Sequence, residues 1–291
     1  MSIMKKNTWL LDHSKNIYSQ KGEDGILEKI FEVIDEKNGW CVEFGAWDGK
    51  HLSNTYNLMQ NGWAGVFIEG SEERYQDLLQ TYQGNSKAYP ICAFVNFEGE
   101  NNLDGILAKT PIPKDFTLLG IDIDGNDYHV WDSLKNYTPK VVVIEYNPSI
   151  PPDIAFTQPK DMNVQQGSSA LAMVQLGKEK GYELVALTSL NAIFVKKELY
   201  PLFEIGDNSL EIMFLDKKNL TQIFQLYDGT LVLRGCDRLL WPDIPLREAI
   251  QPLPKFLRRF PHSSSNWFRF TLFRILRNFI KFREKLSRPK Q

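Results

Sequence analysis

Residues Gly22 to Ile34 (GEDGILEKIFEVI) place apolar side chains at Ile26, Leu27, Ile30, Phe31 and Ile34, the spacing of one helix face. Glu23 and Asp24 sit at the end of this segment where acids favour a helix start. Trp40 to Phe44 is a short apolar run that stops at a glycine-bearing turn, and Leu52 to Asn61 again has helical spacing. The alternation then repeats: a strand at 64–70 (AGVFIEG), a helix at 72–82, strands at 87–95 (KAYPICAFV) and from Thr117 (TLLGIDIDG), a short helix through Trp131 and Leu134, and a strand from Lys140 (KVVVIEYNP). Runs such as VVVI, bounded by polar ends, suit a parallel sheet covered on both faces. Ser168 to Lys180 returns to helix, and YELVALTSLNAIFVKKEL reads as two strands turning at Ser189 to Asn191, which closes the sheet antiparallel. The pattern predicts an α/β fold: a Rossmann-like, doubly wound, mostly parallel seven-stranded sheet with an antiparallel terminal hairpin and a C-terminal helical tail.

Two segments break the alternation. Pro148 to Gln166 is a Pro-, Asn- and Gln-containing loop long enough to be a lid or binding segment. From Tyr200 the periodicity weakens, and a Pro-rich connector runs from Trp241 to Pro254, so the expected division is a domain at 1–240 and a connector with its tail at 241–291. In the tail, Phe268, Leu272, Ile275, Leu276, Phe279, Phe282 and Leu286 share one side of a helical wheel, with Arg269, Arg274, Arg277, Lys281 and Lys285 on the other. Aromatic and basic residues combined in this way mark a helix lying in a membrane interface; a helix docked on the acidic body or on a partner is the alternative. The PHSSSN segment ahead of it gives the tail room to stand apart.

Charge sharpens the division. The formal net charge of -2 conceals eleven Lys/Arg against one acid from Lys255 onward, and 23 basic against 35 acidic residues before it. An acidic body argues against a nucleic-acid partner, whose phosphates need Lys/Arg neutralisation, and suits a small ligand or a neutral sugar. Cys41, Cys92 and Cys236 are odd in number and widely spaced, as reduced, buried thiols would be. The sequence shows neither a signal-peptide run nor about 18 uninterrupted apolar residues, so the expected location is cytoplasmic, peripheral at the inner face of the membrane.

The candidate chemistry gathers at strand ends. The first strand closes in VEFGAWDG, where a glycine lets backbone approach a cofactor, but the spacing is not that of a dinucleotide fingerprint and the acids oppose phosphate. Such a turn welcomes a cationic ligand carrying a sulfonium and an amino group. Glu69 closes the second strand, where an acid can accept both hydroxyls of an adenosine ribose. The fourth strand ends in IDIDGND and the fifth in IEYNP. Asp122, Asp124, Glu145 and Asn147 therefore offer hard oxygen ligands to Mg²⁺ or another divalent cation. In the alternative, Asp122 and Asp124 orient an amino group and cap the following helix without metal.

The run VEFGAWDGKHLSN, VFIEG, GIDIDGNDYHVW and VVVIEYN resembles the class I methyltransferases, and within them the FkbM-like group, over approximately Tyr18 to Lys197. Group members carry an Ile-Asp-Val-Glu-Gly-type segment that Ile121 to Gly125 matches with Asp124 in place of Glu. The resemblance implies S-adenosylmethionine held by Glu43, Gly45, Ala46, Asp48, Gly49, Glu69, Gly70 and Asp122, with Gln20 of the YSQKGED segment covering it. It implies O-methylation of a saccharide, lipid-linked glycan or related metabolite. Removal of the hydroxyl proton needs a base or a metal, and Asp124, Asp127 and His129 are the candidate bases. His51, after the first turn, is a further histidine of the same standing as His129.

Overall fold

The computed structural model describes residues 6–241, 243–246, 254–258 and 266–287. In chain order the elements are α1 (Glu23–Val33), β1 (Trp40–Phe44), α2 (Tyr56–Gln60), β2 (Ala64–Glu69), α3 (Glu72–Thr81), β3 (Ala88–Cys92), α4 (Leu103–Leu107), β4 (Leu118–Ile121), α5 (Asp127–Ser133) and β5 (Val141–Glu145). They continue with α6 (Ala170–Glu179), β6 (Tyr182–Leu187), β7 (Asn191–Lys196), α7 (Leu210–Met213), β8 (Thr221–Gln225), β9 (Leu231–Gly235), β10 (Arg238–Leu239), β11 (Ile244–Pro245) and α8 (Trp267–Ser287). The main sheet has seven strands in the order β3-β2-β1-β4-β5-β7-β6. Strands β1 to β5 run parallel, and β7 pairs antiparallel with both β5 and β6. This is the expected architecture.

The sheet is covered on both sides, which is why its strands read as unbroken apolar runs. Ile26, Leu27 and Ile30 of α1, Leu58 and Met59 of α2 and Leu78 of α3 join Cys41, Phe67, Leu118, Val141 and Val143 in one buried cluster. Residues one step out of phase along β5, Val142 and Ile144, are equally buried. On the α5–α6 side Trp131 packs against Phe194, and Gly177 lets α6 approach, since a Cβ there would meet both rings at 3.0–3.2 Å. Because every parallel strand points the same way, β1, β2, β4 and β5 deliver their carboxyl ends to one edge, where the β6–β7 turn also lies. That edge is where an open α/β sheet binds ligands.

Contacts group the chain into two units, Met1–Asp216 and Lys217–Gln291. The second contains the β8–β9 hairpin, unread in the sequence, and α8, whose first turn is capped by Asn266: its Oδ1 accepts from the Phe268 N–H at 3.1 Å. Most of the Pro-rich connector and of PHSSSN lies outside the described residues. No described helix is long and apolar enough to cross a membrane. The cysteines are unpaired, but only Cys41 is buried; Cys92 is exposed at the end of the edge strand β3 and Cys236 is half-buried.

Candidate functional site

The turn after β1 is built on glycine. Gly45 has φ +71°, and a Cβ there would lie 2.1 Å from the Asp122 carbonyl oxygen, so the ends of β1 and β4 close on each other only without a side chain. Gly49 has the same φ, its N–H donates to the Ala46 carbonyl at 2.7 Å, and Tyr82 donates its hydroxyl to the Gly49 carbonyl. Between them Asp48 accepts from the backbone N–H groups of Lys50 and His51. Glu69 ties this turn to the end of β2, accepting from Trp47 N–H at 2.8 Å and Ser71 N–H at 2.7 Å. Buried Ala46 and half-buried Gly70 flank it, and the exposed Phe94 ring lies against Gly70, where a Cβ would meet it at 2.4 Å. Glu43 is buried and already engaged: its oxygens accept from the Ser53 and Thr55 hydroxyls, both at 2.6 Å, and from Asn54 N–H at 2.8 Å. It braces the loop beneath the turn.

At the ends of β4 and β5, Asp122, Asp124 and Glu145 each offer an oxygen within 4.8 Å of the other two. Asp124 is exposed and sits at φ +55°, in the left-handed region. Three further sequence candidates are committed elsewhere. Asp127 is buried and accepts from Ile123 N–H and Gly125 N–H, both at 2.9 Å, so it shapes the turn rather than reaching an acceptor. Nε2 of His129 lies 2.8 Å from the Gln158 carbonyl and its ring is packed edge-on against Phe97 and Tyr128, so it is buried and held against the long loop. Asn147 turns its amide oxygen to Ser149 and donates to the Gln166 carbonyl, leaving the carboxylate trio without it.

His129 and Asn147 belong instead to a clamp on the long loop. Gln158, 2% exposed, accepts from Gln166 N–H and Gly167 N–H and donates to the Val164 carbonyl, while Asn126 donates to the carbonyls of Asp161 and Val164. Gln158 was missed because a glutamine in a loop carries no periodic signal; only its burial reveals it. The YSQKGED segment folds over the same edge. One oxygen of Asp24 collects the N–H groups of Ile17, Tyr18 and Ser19 at 2.7–2.8 Å, and Ser19 Oγ accepts from Asp24 N–H. Glu23 accepts from the Thr188 hydroxyl and the Asn191 amide. Gln20 is exposed and lines a separate recess beside the β6–β7 turn, away from the glycine turn where cofactor contact was expected.

Seven carboxylates, Glu23, Asp24, Glu43, Asp122, Asp124, Asp127 and Glu145, thus converge on one rim, and among the described residues no Lys or Arg forms an ion pair with any of them. Burial raises the Glu43 carboxyl above the usual range against the pull of its hydrogen bonds, and lifts Asp127 to about 6. Asp122, open to the cleft but hemmed in by protein, and Glu145 are both raised, first by lost hydration and then by the neighbouring negative charges.

The chain is similar in fold to solved methyltransferases. No family model matches it, and no curated protein does. The solved structures include the N-terminal domain of EvdMO1 with SAH bound (10% identity, 61% of this chain and 82% of that one, TM-score 0.39). A TehB-like SAM-dependent methyltransferase from Corynebacterium glutamicum is 13% identical over 64% of this chain and 92% of that one, with a TM-score of 0.37. The CurJ carbon methyltransferase is 10% identical over 62% of this chain and 56% of its own, with a TM-score of 0.41. Likeness at this level is one of general outline, and a functional reading rests on the cleft's own residues.

Proposed function

We propose that the protein is an S-adenosylmethionine-dependent methyltransferase of the FkbM-like kind, acting on a hydroxyl of a saccharide, lipid-linked glycan or related metabolite. The observation that carries this reading is the unbalanced carboxylate rim beside the glycine turn. Its negative charge suits a sulfonium and an ammonium group and opposes a phosphate. Glu69, fixed by two backbone donors, keeps a second lone pair on each oxygen for ribose hydroxyls. Gly45, Ala46, Asp48, Gly49 and Gly70 supply the close backbone, with Asp122 at its centre and Glu43 bracing from below.

When bound, the cofactor supplies a methyl group on positively charged sulfur. The protein's own work is to seat the acceptor oxygen behind that methyl and to hold the hydroxyl proton. Asp124, exposed and without a side-chain hydrogen bond among the described residues, is the residue for the proton, since Asp127 and His129 are already engaged. Asp122, Asp124 and Glu145 also have the hard oxygens and spacing to hold Mg²⁺, which would acidify a bound hydroxyl. The tail adds a tether: Phe268, Ile275, Phe279 and Phe282 of α8 are 56–67% exposed and fall on one stripe, opposite Arg274, Arg277 and Lys281, as a helix on an anionic membrane requires.

Calorimetric titration with S-adenosylmethionine and S-adenosylhomocysteine, with and without Mg²⁺, tests the reading. Micromolar binding that weakens at least tenfold in Asp122→Asn supports it. Absence of binding under every condition overturns it, and tight metal binding indifferent to S-adenosylmethionine points instead to a metal-dependent hydrolase.

A further inference from the structure

A chemically different recess of about 440 Å³ opens at the same edge of the sheet, between the covering segment and the β6–β7 turn. Its walls include Lys15, Asn16, Gln20, Lys21 and Ser189, with Asp216 as the one carboxylate among them. In a body with a surplus of acids, two lysines lining one recess stand out. Neither ammonium group forms an ion pair among the described residues.

The loop that carries them is closed on itself, so their placement is fixed by backbone. Lys15 N–H donates to the Gly22 carbonyl at 3.3 Å, Gly25 N–H donates to the Lys15 carbonyl at 3.1 Å, and Gly22 N–H donates to Asn16 Oδ1. Lys21 N–H donates to the Glu23 carboxylate at 2.7 Å. Glu23 links recess and rim: it accepts from Thr188, which lines the recess, and its charge reaches Asp122. A ligand seated against Lys15 and Lys21 would therefore occupy a recess whose wall is joined through Thr188 and Glu23 to the carboxylate rim. The volume is that of a small-molecule site.

We propose that this recess binds the oxyanion of the methyl acceptor, a phosphate or a carboxylate, with Lys15 and Lys21 supplying charge and Asn16, Gln20 and Ser189 supplying hydrogen bonds. The acceptor class is then an acidic or phosphorylated sugar rather than a neutral one. Calling the ligand an acceptor rests on the methyltransferase reading above; the binding of an oxyanion does not.

The test is calorimetric titration of the full chain with glucose 6-phosphate, glucuronate and glucose. Binding of at least one anionic sugar, tenfold or more weaker in Lys15→Gln/Lys21→Gln and absent for glucose, supports the proposal, and the preferred anion tells phosphate from carboxylate. Equal binding by the double variant, or no binding of either anionic sugar by the wild type, overturns it. Ser189→Trp fills the recess without changing charge, and undiminished binding by that variant overturns the proposal as well. S-adenosylmethionine titrated into the same three proteins reports separately. Its binding by all three upholds the methyltransferase reading whatever the recess does, and its failure to bind the wild type removes that reading while the oxyanion result stands.

Discussion

Gly45→Ala is expected to cost the fold about 2–5 kcal/mol, more than any simple loss of glycine freedom. Placing an L residue at φ +71° costs ~1–2 kcal/mol. The new Cβ would also lie 2.1 Å from the Asp122 carbonyl oxygen, against an ordinary non-bonded separation of roughly 3.5 Å. Both groups are backbone, and β1 and β4 stay paired up to Phe44 and Ile121, so the clash is relieved only by parting the strand ends. Overpacking of that kind adds ~1–3 kcal/mol. Gly84→Ala is the matched control, because Gly84 has φ +78° and nothing within 4 Å of a built Cβ. Urea unfolding followed by circular dichroism should show Gly84→Ala losing only the backbone part and Gly45→Ala at least ~1 kcal/mol more, at unchanged m-value. Equal losses would refute the argument that close approach of β1 and β4 fixes the turn. S-adenosylmethionine affinity should fall in Gly45→Ala and hold in Gly84→Ala.

Burial lifts Asp127 from an aspartate's 3.8 to about 6, so between those values the folded chain binds more protons than the unfolded one, and stability falls as pH rises through the window. At ~1.4 kcal/mol per pH unit, and with the unfolded carboxyl already partly ionised at pH 4, the wild type should lose about 2 kcal/mol relative to Asp127→Asn between pH 4 and 6.5; a difference that does not change with pH contradicts this. His129→Phe should leave methyl transfer within tenfold of wild type while making residues 148–167 more sensitive to limited proteolysis, because it releases the Gln158 carbonyl; abolished turnover with an intact loop would restore His129 as a base. Asp124→Asn should weaken Mn²⁺ binding at least tenfold and slow methyl transfer, and unchanged values for both would remove the trio from the mechanism. Ile275→Glu/Phe279→Glu should abolish sedimentation with vesicles containing phosphatidylglycerol, and retained binding would count against a membrane stripe on α8.

The architecture was legible because apolar periodicity is imposed by burial on both faces: VVVI in β5 and the 3.6-residue spacing of α1 could not be read otherwise. Strand ends were legible for the same reason, since turns at Gly45 and Gly125 interrupt those runs. What each oxygen does at the strand ends was not legible. Glu43 looks like a cofactor ligand and Asp127 like a base in a one-dimensional string, yet Glu43 is engaged by N–H and hydroxyl groups ten to twelve residues on and Asp127 by N–H groups two and four residues back, a competition that only the fold exposes. His129 and Asn147 were misplaced by a third party, the 148–167 loop, whose anchors Gln158 and Asn126 carry no spacing signature. The β8–β9 hairpin escaped because its strands are largely exposed and therefore lack a sustained apolar pattern.

The raised carboxylates and the preference for a cationic ligand are two views of one arrangement. Folding gathers negative charges at the rim and strips water from several of them, which costs stability wherever they remain ionised. A cation that enters the cleft recovers part of that cost, so its binding free energy includes the relief of strain already stored in the fold. Protonation relieves the same repulsion by another route. Acidification should therefore stabilise the empty protein while weakening its hold on a sulfonium or a divalent ion, since either ligand must then displace the protons. The lysine-lined recess obeys the opposite sign: an oxyanion seated there adds negative charge near Glu23 and is favoured only because Lys15 and Lys21 face it. Placing a positive and a negative ligand at adjoining sites of opposite charge lets each offset the field the other meets, and binding of the two should be mutually reinforcing.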